Sequence, residues 1–250
     1  MAILLVYLRS LIFFVWFLAY SVALHIAFLP TLPMGWKGAE WSARQWSRAG
    51  LWGLKVFAGL RYEVRGREHI PRTGALIAAK HYSMWETMAL SALAPDPVFV
   101  IKRSLRWVPL FGLYMIAARM IAIDRRAGAS AVRKMTAAAK RAIADGRQIL
   151  IFPEGTRKKP SDAPDYKPGV AGLYAQLGAP CVPVAHNSGL FWTAGGILKK
   201  PGTIVVEFLP AIPPGLPRAE FMRTLETRIE AAATRLVAEG QALLAAQGLG

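Results

Sequence analysis

A histidine and a carboxylate stand close together in the segment AAKHYSMWETMAL, residues 78–90. His81 ends a short apolar run, and Glu86 follows it five positions later. A neutral imidazole can accept the proton of an alcohol, and a carboxylate bonded to its far ring nitrogen fixes the tautomer and stabilises the imidazolium. One such pair also arises by chance, and by itself His81 is better interpreted as a hydrogen-bonded histidine at a strand end. The catalytic interpretation therefore depends on the rest of the chain.

The spacing of the pair constrains the local structure. On one regular helix, five residues turn through about 500°, so the side chains of His81 and Glu86 would point apart. They can meet if His81 lies in a loop and Glu86 lies in the first turns of the helix that follows. The sequence therefore predicts a strand, a loop carrying His81 and a helix carrying Glu86.

Polar residues follow three strand-like apolar runs. His81 and Glu86 follow LIAAK, Lys102 and Arg103 end or follow VFVI, and PEGTR (residues 153–157) follows ILIF. In open α/β sheets, functional sites assemble at the carboxyl ends of the strands. These three stretches are therefore expected to converge on one site.

In this order, the blocks resemble those of the glycerolipid acyltransferases, and most closely the 1-acylglycerol-3-phosphate acyltransferases. The resemblance runs from about Arg61 to Leu209 and rests on four segments: HYSMWE, KRSLRWVPLFG, FPEGTR and CVPVAHNSG. FPEGTR, residues 152–157, is the most specific of them. One position departs from the family pattern, since the usual aspartate of the first block is Glu86 here. The extra methylene moves the carboxylate by about one carbon–carbon bond, which a shift of the helix can absorb.

The resemblance implies that a glycerol hydroxyl attacks a thioester directly, without a serine or cysteine nucleophile. His81 would be the general base and Glu86 the residue that orients it. The third block is associated in the family with the glycerol-phosphate end of the acceptor, so Arg157 would clamp a phosphate. The other candidate substrate-binding residues are Lys102, Arg103, Glu154, Gly155, Thr156 and Lys167. Glu154 would accept a hydrogen bond from a glycerol hydroxyl or brace the cations. The alternative for this block is a structural turn with a surface ion pair.

Composition points to an anionic partner. The chain has 250 residues, of which 54% are apolar, and it carries a formal net charge of +16. Such a surplus attracts nucleic acid, an anionic membrane or phosphorylated substrates. The cations lie among apolar and tryptophan-rich stretches and not in a known nucleic-acid-binding module, so the sequence predicts a membrane partner and no nucleic acid. The single cysteine, Cys181, excludes an internal disulfide, and the spacing of the four histidines predicts no metal site.

The first sixty residues predict membrane association. Residues 3–30 contain one full charge, Arg9, and residues 3–29 as a helix would extend about 40 Å. A hydrocarbon core is roughly 30 Å thick. The uninterrupted part, residues 11–24, reaches only about 21 Å, so both a spanning and a re-entrant helix remain open. Trp36, Trp41, Trp46 and Trp52 then alternate with cations, as in the headgroup layer. Packing of these rings on the core is the alternative.

After residue 61, strands and helices alternate. The predicted strands are RYEVRG, GALIAAK, VFVIK, MIAID, RQILIF, PCVPVAH and GTIVVEFL, and the predicted helices cover residues 84–93, 113–119, 129–145, 169–177 and 219–244. This alternation predicts an α/β fold with a central, mostly parallel or mixed sheet flanked by helices. We expect N-terminal membrane-associated helices in residues 1–60 and an α/β acyltransferase domain in residues 61–250.

Together these expectations describe a membrane-bound enzyme with no resident cofactor. It would transfer a fatty acyl group from coenzyme A or acyl carrier protein to the sn-2 hydroxyl of lysophosphatidic acid, next to membrane phospholipids. The catalytic domain would lie on the cytoplasmic side of the inner membrane. Two alternatives stay open: another lysophospholipid or a lyso-aminolipid as acceptor, and a non-catalytic protein that binds anionic lipid.

Overall fold

The computed structural model describes residues 2–124 and 128–248. Its seven strands form one sheet: β1 (Leu60–Arg65), β2 (Ala75–Ala79), β3 (Pro97–Lys102), β4 (Ile121–Ile123), β5 (Gln148–Ile151), β6 (Cys181–His186) and β7 (Gly202–Phe208). The spatial order is β1-β7-β6-β2-β5-β3-β4. Only β6 and β7 pair antiparallel among the described strands, so the predicted mostly parallel sheet is confirmed.

The helices of the described residues are α1 (Ala2–Ala27), α2 (Gly35–Gly53), α3 (Trp85–Leu93), α4 (Phe111–Ala117), α5 (Gly128–Ala144), α6 (Gly169–Leu177), α7 (Ser188–Phe191) and α8 (Arg218–Ala246). Helix α8 packs on β6 and β7, and α5 packs on β4 and β5. The sequence did not predict α7, because four residues carry no periodic signal.

Strand β2 lies in the middle of the sheet, with β5 on one side and β6 on the other. All five of its residues are buried. This burial explains why ALIAA is a continuous apolar run and not an alternating one. Its register pairs Ala78 with Ile151 of β5 and Pro183 of β6. The residue after this strand is Lys80, and the next is His81, so the core of the sheet fixes where the histidine emerges.

Helix α1 confirms the predicted apolar helix and is long and apolar enough to cross a membrane. It does not stand apart from the rest of the protein. In the first half of the helix, Ser10 Oγ accepts a hydrogen bond from the Lys199 amide over 2.9 Å. Near its end, the carbonyl of His25 accepts one from the Tyr114 hydroxyl of α4 over 2.7 Å. Helix α1 therefore lies along the α/β domain and contacts it at two well-separated points.

The tryptophans of α2 divide between the two interpretations of the sequence. Trp46 packs edge-on against Phe17 of α1, with 5.7 Å between ring centroids, and it donates a hydrogen bond to Ser21. Trp41 and Trp52 are 47% and 55% exposed. The exposed rings of Trp41 and Trp52 can therefore reach a headgroup layer, while Trp46 holds α1 to α2. The division of the chain at residue 60 stays a prediction, and α2 packs directly on α3 of the following part.

Candidate active site

The three polar stretches emerge from adjacent strands. Strand β5 lies between β2 and β3 and pairs parallel with both. Parallel neighbours end at the same edge of the sheet, so their carboxyl ends deliver His81, Lys102 and the segment after residue 151 to one place. The convergence expected from the sequence is confirmed.

His81 and Glu86 meet as the spacing requires. His81 lies in the loop between β2 and α3, and Glu86 is the second residue of α3. The imidazole donates from Nδ1 to Glu86 Oε1 over 2.9 Å. Its ring stacks on Phe152 with centroids 4.0 Å apart and planes inclined by 14°. The second ring nitrogen, Nε2, has no hydrogen-bond partner within residues 2–124 and 128–248, so it is free to accept a proton.

The Glu86 carboxylate is fully buried and accepts hydrogen bonds from a closed set of donors. Besides His81, these are the amides of Tyr82 and Ser83 and the hydroxyls of Ser83 and Ser188, all within 3.0 Å. Burial alone would raise the pKa of this carboxyl, but the hydrogen bond from His81, the electrostatic influence of the His186 and His81 rings and the bond from Ser83 lower it to about 2. Glu86 is therefore a fixed negative charge beneath the imidazole.

A cavity of about 760 Å³ opens beside His81. Its polar lining includes Lys102, Thr156, Arg157 and Lys167. Its apolar lining includes Phe99, Val100, Ile101, Leu105, Ile123, Val132, Met135, Ile151, Phe152, Pro153 and Val170. The cavity is therefore amphipathic, with cations and a long apolar wall that share one space with His81.

The candidate substrate-binding cations differ in whether they already form ion pairs. Lys167 already holds Asp165, with Nζ 2.6 Å from Oδ2. Arg103 lies outside the cavity lining, and its guanidinium is 3.9 Å from Asp124. Arg157 and Lys102 are exposed and form no ion pair within the part of the chain that the structure describes. These two are the cations best placed to receive an added anion.

Glu154 belongs to the cavity lining, but its carboxylate is already hydrogen-bonded inside the protein. It is 1% exposed, and its Oε1 accepts a hydrogen bond from Lys80 Nζ over 2.9 Å. The sequence predicted that Glu154 bonds a glycerol hydroxyl or braces the substrate-binding cations, whereas in the structure its cation partner is Lys80. Burial raises the pKa of Glu154 even with this ammonium beside it. Gly155 then turns the chain with φ of 67°, a conformation that favours glycine.

Comparison with known proteins adds an independent finding. The family model described as "Acyltransferase" matches residues 61–187. A 1-acyl-sn-glycerol-3-phosphate acyltransferase of Pseudomonas aeruginosa is 37% identical over 196 residues, which cover 78% of this chain and 76% of that protein. The chain belongs to the acyltransferase family. A human relative named 1-acyl-sn-glycerol-3-phosphate acyltransferase beta is 30% identical over 178 residues, covering 70% of this chain and 64% of that protein.

The acyltransferase fold also matches a solved structure. The crystal structure of the 1-acyl-sn-glycerophosphate acyltransferase PlsC from Thermotoga maritima superposes with a TM-score of 0.72 at 19% sequence identity. The match covers 93% of this chain and 95% of that one. At this identity it supports the fold, including the N-terminal helices.

Some residues of the acyltransferase site were missed from the sequence. Ser188, the first residue of α7, donates to Glu86; it lies in the segment CVPVAHNSG, but no role was predicted for it from the sequence. Lys80 directly precedes His81, and this position next to the candidate base could have marked it as part of the site. His186 is also part of the site: it is fully buried and donates from Nε2 to the Lys80 carbonyl over 2.8 Å. This hydrogen bond supports the loop that carries His81. Among the described residues, no cluster of histidine, cysteine or acidic side chains could hold a metal ion.

Proposed function

We propose that this chain is an O-acyltransferase that acylates the sn-2 hydroxyl of lysophosphatidic acid to form phosphatidic acid, with acyl-coenzyme A or acyl carrier protein as donor. The observation that carries the proposal is the shared cavity. It brings a histidine oriented by a buried carboxylate together with Arg157 and Lys102, two cations that form no ion pair among the described residues. The relatives named as 1-acyl-sn-glycerol-3-phosphate acyltransferases support the same acceptor.

In the proposed reaction, His81 Nε2 accepts the proton of the acceptor hydroxyl as its oxygen attacks the thioester carbonyl carbon. The carbon–sulfur bond then breaks, and the imidazolium returns the proton to the departing thiolate. The products are an ester and a free thiol, so no external oxidant or reductant is needed. Glu86 stays ionised throughout and stabilises the imidazolium that forms between the two steps.

The lining of the cavity separates the two ends of such an acceptor. Arg157 can bond a phosphate with two parallel N–H groups, and Lys102 adds a point charge. The apolar wall that includes Phe99, Met135 and Val170 suits a hydrocarbon chain. Arg103 is left out of the proposed phosphate set, because it lies outside this lining. Lys167 would have to release Asp165 to take part.

We further propose that α1 lies in one leaflet and does not cross the bilayer. Its contacts with Lys199 and Tyr114 hold it alongside the domain, so a perpendicular span would carry the domain into the hydrocarbon core. Its outer face is apolar, as shown by Leu4, 72% exposed, and Leu18, 50% exposed. Trp107, 81% exposed, lies on the segment before α4 and suits the same interface. The net charge of +16 favours the anionic cytoplasmic leaflet of the inner membrane.

The deciding experiment incubates the purified protein with a radiolabelled acyl thioester and a panel of lyso-lipids in mixed micelles. We expect labelled phosphatidic acid from lysophosphatidic acid, and its loss in His81→Ala with vesicle binding unchanged. Preferential labelling of a lysophospholipid diester or a lyso-aminolipid would show that this lipid, and not lysophosphatidic acid, is the acceptor. Absence of turnover with every acceptor and donor, alongside intact lipid binding, would identify a non-catalytic lipid-binding protein.

A further inference from the structure

A buried lysine lies directly beside the catalytic loop and takes no part in the proposed chemistry. Lys80 is 2% exposed and does not line the cavity. Its ammonium donates to Glu154 Oε1 over 2.9 Å and to Glu230 Oε1 over 2.7 Å. Removing an ammonium from water is costly unless it is paired and hydrogen-bonded. A pairing this complete, on a residue outside the cavity lining, indicates a role inside the protein.

The pairing reaches the backbone of His81. While one oxygen of the Glu154 carboxylate binds the Lys80 ammonium, the other accepts the amide of His81 over 3.4 Å. The Lys80 backbone is held as well, because its amide donates to the Val184 carbonyl over 3.0 Å and its carbonyl accepts from His186 over 2.8 Å. The Lys80 ammonium therefore orients the Glu154 carboxylate, and this carboxylate in turn holds the backbone amide of His81.

The second carboxylate comes from a distant element. Glu230 lies in the middle of α8, 150 residues after Lys80, and outside the residues 61–187 that the family model matches. Its Oε1 also accepts the Tyr166 hydroxyl over 2.7 Å. The Lys80 ammonium lies 5.4 Å from the ring centroid of Tyr82 and 5.7 Å from that of Tyr166. The C-terminal helix is thus joined to the catalytic loop through one charged group.

We propose that Lys80 and Glu230, acting through Glu154, are positioning residues that hold His81 at the distance and angle needed for proton transfer. The inference rests on the proposed acyl transfer. Neither Lys80 nor Glu230 lines the cavity, so neither touches substrate. Their loss misplaces the base without removing a substrate contact. Such a change lowers kcat and leaves KM nearly unchanged, because misplacement of a reacting group by about 1 Å costs on the order of 100-fold in rate.

The test compares three single variants with the wild type by steady-state kinetics and by thermal unfolding. Lys80→Met gives an unbranched, uncharged side chain that is one atom shorter, and Glu230→Gln keeps the shape and removes one carboxylate. Glu239→Gln is the matched control, since Glu239 is also on α8 and bonds Arg65 and Arg235 away from the loop. We expect kcat to fall about 100-fold in Lys80→Met and about 10-fold in Glu230→Gln, with KM for either substrate within about twofold. The control should retain full turnover.

The outcomes separate the positioning role from the proposed function and from simple stabilisation. If Glu230→Gln lowers the unfolding temperature but folded protein turns over as fast as wild type, the positioning role is wrong. A rise of KM in step with the fall of kcat would also overturn it, since that result indicates a substrate contact. If Lys80→Met does not fold, Glu230→Gln decides alone, because Glu230 is 27% exposed and its replacement leaves no buried cavity. An inactive wild type would instead refute the acyl transfer itself.

Discussion

The sharpest prediction concerns the charge of Glu86. Glu86→Gln preserves side-chain size, and the amide oxygen can still accept from His81 and the two amides that now bond Oε1. The amide nitrogen would face the hydroxyls of Ser83 and Ser188, which can rotate to accept. The fold and the imidazole position should therefore survive, while the negative charge under the ring is lost.

The magnitude follows from the geometry. Nδ1 and Oε1 are 2.9 Å apart, which puts the delocalised imidazolium charge at about 4 Å from the carboxylate charge. At an effective dielectric constant of about 20, this attraction is about 4 kcal/mol. Each 1.36 kcal/mol of transition-state stabilisation is about a tenfold change in rate. We therefore expect kcat to fall about 1000-fold, with KM unchanged because the carboxylate does not line the cavity.

The assay measures kcat and KM for acyl transfer to lysophosphatidic acid, with circular dichroism to verify folding. Ser188→Ala is the matched control, because it removes one donor to Glu86 and keeps both the charge and the contact with His81. It should retain at least about a tenth of wild-type kcat. A folded Glu86→Gln protein that turns over within tenfold of wild type would refute the charge argument.

Three further predictions test other parts of the structure. The pKa of Glu86 is lowered from 4.5 to about 2, so its contribution to the free energy of unfolding is present above pH 4.5 and is lost as the pH falls to 2. This contribution amounts to about 3 kcal/mol. Denaturant unfolding at a series of pH values should show the loss in the wild type and not in Glu86→Gln. Arg157→Ala should raise KM for lysophosphatidic acid about 10- to 100-fold while Arg103→Ala changes it less than about twofold, and equal KM values for the two variants would reject Arg157 as the phosphate ligand. The double variant Leu11→Ser, Leu18→Ser should lower partition onto anionic vesicles by at least about tenfold. The unfolding temperature should not fall, because both side chains are half exposed. Unchanged vesicle binding would show that the outer face of α1 does not contact the membrane.

Most elements of the fold other than the short helix α7 were predictable because they are encoded locally. The buried run ALIAA, the apolar spacing along α8 and the long apolar N-terminus produce their elements from short stretches of sequence. The order of the strands was not predictable. Parallel pairing of β2 with both β5 and β6 joins segments that are far apart in the chain, and periodicity carries no information on such partners.

The site divides in the same way. The sequence by itself determined that His81 and Glu86 could meet across a loop, because this follows from residue type and spacing. It placed Arg157 in a specific block through the resemblance of FPEGTR to the family pattern. Only the tertiary structure decided that Glu154 binds Lys80 and that α8 supplies Glu230. The physical reason is that a buried charge must find a partner wherever the packed elements offer one, and that partner is chosen by distance in space and not by position in the chain.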